Sequence, residues 1–367
     1  LAIHFWKALG AYPKSGGGDK IVEFDALILA AGKGERLRPL SNVVPKPALP
    51  FLGFPILDFC LHKVSSLKPR RIFVNGHHLA GEVERVVVAW KRFQKESGPE
   101  LIFFREPSLL GTGGTIRYVF EKFHPKNLLI HNGDLIHDIH VLHVLNHLGG
   151  GDIGCLLLTD NHTPSTTPVY TLNNHIVSFG GTAPSHSTAH TFSGIYVLNE
   201  NIGRYFPTNE SFSIIDSLTS ALADGWQLAA CTTGGRRWFD LGTRQSWLSA
   251  QMECLSQWTT MASISFEELA RIKKSKYFHV SAGDFHQMDG VKLIGPTLLV
   301  DSTISGHGTI GPNVCVSGLD LLLEGSLENT SLHGDGSRFV GSSKHESIML
   351  VRHEAVLSSL NMSSQPV

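Results

Sequence analysis

Residue types able to do chemistry gather at four places in this chain. The first is a glycine turn, Leu29 to Leu40, which reads LAAGKGERLRPL and is followed by Pro45-Lys46-Pro47. Gly32 and Gly34 permit close backbone approach, and successive amides in such a turn make a nest for an anion. Lys33, Arg36, Arg38 and Lys46 set four cations beside it. A plain strand-to-helix turn with solvated charges could use the same residues, but this cation density directly after an apolar run favours a phosphate ligand. Spacing rules out two familiar phosphate loops here. A Walker A loop needs four residues between its glycines and then Gly-Lys-Ser/Thr, and a dinucleotide fingerprint needs a third glycine where Leu37 stands.

The other three places are Glu106 to Gly114 (EPSLLGTGG), Asn132-Gly133-Asp134, and Trp238 to Thr243 (WFDLGT). Each also has an ordinary structural reading. Gly111, Gly113 and Gly114 could end a loop before a helix. Asp134 could form a turn, and Asp240 could cap a helix. A fifth cluster, His131, His137, His140, His143 and His147, has spacings that could align His140, His143 and His147 on one helical face. No cysteine or carboxylate completes a ligand set there, so a polar helix face is expected rather than a soft-metal site.

The elements that must position these residues alternate between strand and helix. Strands are expected at 21–30, 71–75, 101–105 and 127–131, and helices at 55–67, 81–93 and 115–123. That alternation predicts an α/β fold with a Rossmann-like, mixed but mostly parallel sheet flanked by helices. Ligands of such sheets gather at the carboxyl ends of the strands, where the first three motifs fall. Further strands are expected at 153–159, 169–172, 192–198 and 227–232, with helices at 214–223 and 244–255. Residues 161–168 and 180–191 read as loops.

In the last third, Leu298, Ile304, Ile310, Val316 and Leu322 recur every six residues among glycines. This predicts a short C-terminal left-handed β-helix. The expected division is a tail (1–21), a catalytic domain (22–252), a helical linker (253–285), the β-helix (286–341) and a second tail (342–367).

Composition narrows the function classes. The 367 residues carry 31 basic and 32 acidic side chains, so a nucleic-acid binder with a basic face is not expected. No apolar run reaches the roughly 18 residues of a membrane span, and residues 1–20 show no secretion signal. Five scattered cysteines, Cys60, Cys155, Cys231, Cys254 and Cys315, read as buried thiols in a reducing, cytoplasmic setting.

Taken in order, the motifs closely resemble those of sugar-1-phosphate nucleotidylyltransferases. The likeness spans about residues 23–250 and is strongest to the branch of mannose-1-phosphate guanylyltransferases and N-acetylmuramate-1-phosphate uridylyltransferases. The resemblance implies that Ala30, Ala31, Gly32, Lys33 and Gly34 wrap a nucleoside triphosphate, with Arg36 and Lys46 neutralising its phosphates. It implies that Glu106, Gly111, Thr112 and Gly113 hold base and ribose, and that Asn132 belongs to the nucleotide site. Asp134 and Asp240 would share Mg²⁺. Ser193 and Gly194, in FSGIYV, would touch the sugar.

One departure stands out. Many relatives hold the sugar phosphate with the lysine of a Glu-Lys-Pro segment, but residues 159–184 contain no Lys or Arg here. Arg237 is the expected substitute.

The partners implied are GTP or UTP and a sugar-1-phosphate, in a homo-oligomer. Guanylyl transfer to mannose-1-phosphate leads, and uridylyl transfer to an amino-sugar-1-phosphate is the alternative. Two other classes are weighed against these. A silent regulatory homologue would be expected to have lost one of Arg36, Lys46, Asp134 and Asp240. An acyltransferase tail would need His307 as its catalytic residue.

Overall fold

The computed structural model describes residues 23–256, apart from 93, 95, 96 and 161, together with the strands from residue 278 onward and parts of their connections. Residues 1–22 and 257–277 lie outside the described residues, and so does most of the expected linker.

Nine strands form the central sheet. In spatial order they are β5 (Glu100–Arg105), β4 (Arg71–Gly76), β1 (Asp25–Leu29), β6 (Asn127–Asn132), β11 (Thr188–Asn199), β8 (Asp152–Leu158), β12 (Gln227–Thr232), β10 (His175–Phe179) and β9 (Pro168–Leu172). A small hairpin, β2 (Pro50–Phe51) with β3 (Phe54–Pro55), precedes β4. Strands β5, β4, β1 and β6 run parallel, and so do β8 and β12. Strand β11 runs antiparallel between β6 and β8. The sheet is therefore mixed, as the pattern predicts, but with four parallel and five antiparallel pairings it is not mostly parallel.

Fully buried runs such as Ala26-Leu27-Ile28 and Leu128-Leu129-Ile130 explain why the centre is covered on both faces. One face packs on α1 (Ile56–Ser66), α2 (Ala80–Lys91) and α6 (Arg244–Ser256), through Leu57, Leu61, Val83, Val87 and Trp247. The other packs on α3 (Gly111–Phe123) and α5 (Ile214–Ala223), through Ile116, Val119, Ile214 and Leu218. A short α4 (Leu142–Asn146) follows β6. Among the described residues no helix is long and apolar enough to cross a membrane. All five cysteines are free and buried.

Four further expectations need correction. Helix α3 begins at Gly111, so the second glycine run is its first turn and not a loop before it. Strand β10 is present though its sequence, HIVSF, is short and follows two asparagines in left-handed conformation. Strand β11 starts at Thr188, inside the expected loop, because β9 pairs with it from Thr188 to Thr191. Phe278–Ser281, placed in the helical linker, are a strand that pairs with Thr297–Val300.

Beyond residue 290 the strands alternate between two sheets. Thr303 pairs in parallel with Asp320, and Thr297 with Val314, each 17 positions on, while Cys315 meets Ser331 at 16 and Asp320 meets Arg338 at 18. Val291, Leu293, Leu299, Ile310, Val314, Val316, Leu321, Leu323, Leu327 and Leu332 form the core of this part. Ile310 and Val316 lie in it as the six-residue period predicts, and Ile304 is half-buried against it. The side chains of Leu298 and Leu322 lie outside the described residues. The expected tail contributes two further strands, Ser347–Arg352 and Ala355–Asn361. Trp247 of α6 meets His333 edge-on, with ring centroids 5.8 Å apart, where these sheets touch the larger domain.

Candidate active site

The glycine turn leaves the carboxyl end of β1. Gly34 adopts φ 63°, a left-handed conformation that glycine takes without a side-chain clash. Its carbonyl accepts bonds from the Leu37 amide at 2.9 Å and the Ser41 hydroxyl at 2.8 Å. A side chain at Gly32 would enter open space, so that glycine borders the cleft. Lys33 and Arg36 are exposed at the same edge. Arg38 turns away and pairs with Glu35 at 3.6 Å on the surface, so the four-cation cluster resolves into fewer groups that reach the site.

The two candidate metal carboxylates are brought together by a strand pair. Strand β7 (Leu135–His137) follows the Asn132-Gly133-Asp134 turn, and β13 (Trp238–Asp240) pairs with it antiparallel. Asp240 stands opposite Leu135, and the Leu241 amide donates to the Asp134 carbonyl at 3.1 Å. The Gly133 amide donates to the Leu29 carbonyl at 2.9 Å, which ties the Asp134 turn to the end of β1. A Cβ at Gly133 would lie 2.7 Å from that carbonyl oxygen.

Cations fill out the cluster. Lys46 donates to Asp134 Oδ2, and its Nζ lies 3.7 Å from Asp240 Oδ1. The Arg36 guanidinium sits over Gly242, where a Cβ would lie 2.7 Å from Arg36 Nη2 and 2.9 Å from Asp240 Oδ1. Desolvation raises the Asp240 carboxyl above its ordinary value, and the Asp134 charge adds to the rise. The buried Asp134 Oδ1 has no hydrogen-bond partner. Two close carboxylates, one with an orphaned oxygen, are the donor set of a hard divalent cation, so the residues present fit such an ion.

Two histidines brace the Asp134 turn from behind. His131 Nε2 and His137 Nε2 are 2.9 Å apart, and both rings are buried. Burial lowers His131 to about 4 and lowers His137 as well. The remaining histidines, His140, His143 and His147, are exposed, with ring centroids 6.1 and 6.4 Å apart in sequence order. Among the described residues no group of three or more His, Cys, Asp or Glu could hold a metal. His307 is exposed and its Nδ1 donates to the adjacent Gly306 carbonyl.

In the segment expected to hold the base, Glu106 is buried, and its carboxylate already accepts several bonds. Oε1 receives the Thr115 hydroxyl at 2.5 Å and Asn75 Nδ2 at 2.7 Å, and Oε2 receives the Leu110 amide at 3.3 Å. The glycines of this segment are demanded by packing. A Cβ at Gly113 would lie 2.2 Å from the Phe212 ring, one at Gly114 would lie 2.5 Å from the Glu210 carbonyl, and one at Gly111 would lie 2.6 Å from the Phe212 carbonyl. The Thr112 hydroxyl accepts from the Ile214 amide at the start of α5.

The expected sugar-side residues diverge. Ser193 is buried, and its hydroxyl donates to the Leu157 carbonyl at 2.7 Å, inside a register shift of β11. Gly194, at φ 81°, faces Asn132, whose Nδ2 would be 2.5 Å from a Cβ there. Arg237 pairs with Glu253 at 4.0 Å, and its amide donates to Asp138. That pairing places its guanidinium beside α6.

Three groups to which the sequence reading assigns no individual role matter here. Asn75 bonds to both substrate-side loops. Trp238 Nε1 donates to the Ser193 carbonyl at 2.9 Å, and Phe212 walls the second glycine run. A polar residue ending a buried strand was the available signal for Asn75.

Comparison with known proteins gives a consistent picture. A family model described as nucleotidyl transferase matches residues 25–257. The UTP–glucose-1-phosphate uridylyltransferase of Synechocystis sp. is 24% identical over 322 residues, covering 78% of this chain and 81% of that protein. The mannose-1-phosphate guanylyltransferase of Mycobacterium tuberculosis is 25% identical over 303 residues, covering 81% and 79%. Among solved structures, the inositol-1-phosphate CTP transferase from T. maritima superposes with a TM-score of 0.52 at 17% identity, covering 61% of this chain and 91% of that one. HddC from Yersinia pseudotuberculosis complexed with GMP-PN also gives 0.52, at 21% identity, covering 63% and 99%. These two likenesses speak to the fold.

Proposed function

The chain belongs to the nucleotidyl transferase family, and from that premise we propose that it transfers a nucleoside monophosphate from a nucleoside triphosphate to a sugar-1-phosphate, with Mg²⁺, releasing pyrophosphate. The observation that carries this reading is the strand pair that sets Asp134 and Asp240 side by side against Lys46 and Arg36. A sugar-1-phosphate oxygen attacks the α-phosphorus, and the bond to the β-phosphate oxygen breaks on the opposite side. The attacking oxygen is already anionic, so the reaction needs alignment and charge neutralisation more than a base.

The amides around Gly32 and Gly34 hold the phosphates. Lys46 and Arg36 meet the charge that builds on the departing pyrophosphate. Asp134 and Asp240 would hold the cation, which would supply charge neutralisation to the phosphates. The walls made by Glu106, Gly111 and Phe212 fix the base side.

We take GTP and mannose-1-phosphate as the lead pair, supported by the likeness to the mycobacterial guanylyltransferase over most of both chains. UTP is the alternative, supported by the cyanobacterial uridylyltransferase. The parallel ladders with offsets of 16 to 18 residues support reading the C-terminal part as a left-handed β-helix that serves assembly into a homo-oligomer.

A second reading rests on a specific observation. With Arg237 paired to Glu253, the cation expected for the acceptor phosphate is drawn toward α6, which favours a regulatory protein that binds nucleotide sugar without turnover. The test is pyrophosphate release from four nucleoside triphosphates against a panel of sugar-1-phosphates with Mg²⁺. Turnover with one pair supports transfer. Folded protein that binds nucleotide but turns over no pair rejects the enzyme and favours the regulatory reading.

A further inference from the structure

Strand β4 ends on Asn75-Gly76, His77-His78 follow it, and Asn75 and the two histidines bond to both glycine segments. Asn75 is 2% exposed, and its amide is fully engaged. Its Oδ1 accepts from the Ala30 amide, the first residue of the phosphate-side turn, at 2.6 Å. Its Nδ2 donates to Glu106 Oε1 at 2.7 Å and to the Thr115 hydroxyl at 3.3 Å. The single Thr115 hydroxyl proton points to Glu106 Oε1 at 2.5 Å, with the Gly111 carbonyl also within reach at 2.9 Å. The two histidines run a second line in parallel. His77 Nδ1 donates to the Glu106 carbonyl at 3.0 Å, and His78 Nε2 donates to the Ser41 carbonyl at 2.8 Å. The Ser41 hydroxyl then holds the Gly34 carbonyl.

A side-chain amide is a relay with a fixed sense. Its oxygen only accepts and its nitrogen only donates, so a shift of Glu106 that reorients the Asn75 amide plane also moves the acceptor offered to Ala30. In a buried site these bonds are strong and costly to break singly, so the members move together or not at all.

We propose that Asn75 is a positioning residue that couples the base-side segment to the phosphate-side turn, so that occupancy at Glu106 and Gly111 sets the Ala30 amide for the triphosphate. The inference rests on the nucleotidyl-transfer reading for what the two segments hold. It predicts reciprocal coupling between the two halves of the nucleotide.

The test perturbs one end and reads the other. Thr115→Val keeps the side-chain shape and removes the hydroxyl on the base side. Inorganic tripolyphosphate probes the phosphate-side turn alone. Thr115→Val should weaken tripolyphosphate binding about threefold or more in the parent protein, the effect of one lost buried hydrogen bond. In an Asn75→Leu background the same change should have no further effect. A uniform structural weakening would act equally in both backgrounds, and that result, or no effect in either, overturns the coupling. Hydrogen exchange at the Ala30 amide gives a second reading that needs no Asn75 variant. Thr115→Val should speed it, and an unchanged rate also overturns the proposal. Failure of the parent protein to bind tripolyphosphate at all would reject the nucleotidyl-transfer reading itself, and the coupling with it.

Discussion

The Lys46 ammonium stands 3.7 Å from Asp240 Oδ1 while it donates to Asp134 on its other side. One cation thus serves two carboxylates that reach it from opposite strands of a two-stranded ribbon. The arrangement stabilises two negative charges in one cleft and marks where a further positive charge is wanted. It also makes the cluster divisible by mutation, because each member has a distinct consequence.

Asp134→Asn should reduce nucleotidyl transfer at least about a hundredfold, since a neutral amide cannot replace a carboxylate toward a hard cation. The fold should survive, because the turn is held by backbone bonds from Gly133 and Leu241. Circular dichroism together with steady-state kinetics measures both, and a wild-type rate would remove Asp134 from the site.

Lys46→Met should lower kcat by about a hundredfold or more and change KM for the nucleotide much less, if its charge acts on the leaving pyrophosphate. An equal rise in KM at constant kcat would instead assign Lys46 to ground-state binding.

Metal affinity should fall as the pH drops through the raised value of Asp240. Burial and the Asp134 charge make a proton compete there at higher pH than at an ordinary carboxylate. The affinity is present above that value and lost below it. Lys46 lowers the Asp240 value, so Lys46→Met should move the loss to still higher pH. Mn²⁺ titrations from pH 7.5 to about 4.5 would show this, and a flat profile would contradict it.

Gly194→Ala should cost about 1–3 kcal/mol of stability from strain at its positive φ. It should also displace Asn132, whose Nδ2 lies 2.5 Å from the new methyl, and so lower kcat/KM about tenfold. Urea unfolding and kinetics on one preparation separate the two effects, and unaltered kinetics would detach Asn132 from the site.

Stability should fall in mild acid through His333. Burial lowers its imidazole to about 3. The unfolded chain therefore binds the extra proton from about pH 6.5 downward, while the folded chain stays neutral. The stabilising term is complete above about pH 6.5 and is lost progressively toward pH 3, up to about 4 kcal/mol. His333→Phe keeps a ring against Trp247 and cannot protonate, so its denaturation midpoint should vary less over that window. Parallel pH profiles for the two proteins would argue against this assignment.

Much of the site was legible because its parts are local. The glycine turn, the Asn-Gly-Asp turn and the α/β alternation each depend on a few consecutive residues, and the structure carries all three. What could not be read are the long-range bonds. Nothing near Ser193 shows that its hydroxyl turns inward to Leu157, and nothing near Arg237 shows Glu253 waiting on α6. Gly113 was taken for a ligand-facing glycine, but its neighbour is Phe212, which arrives from a distant loop. Strand β10 was missed because five residues after two turn-forming asparagines carry too little pattern, and β9 and β12 supply the pairing.

The ribbon of β7 and β13 also orders events during synthesis. The phosphate turn and Asp134 leave the ribosome early, and Asp240 follows only when almost the whole nine-stranded domain has been made. A nascent chain, or a fragment cut before Trp238, therefore holds the nest and a single carboxylate, and cannot close a two-carboxylate clamp. On the proposed function, half-made copies would be kept from sequestering a metal-bound triphosphate, and competence would arrive together with the completed fold.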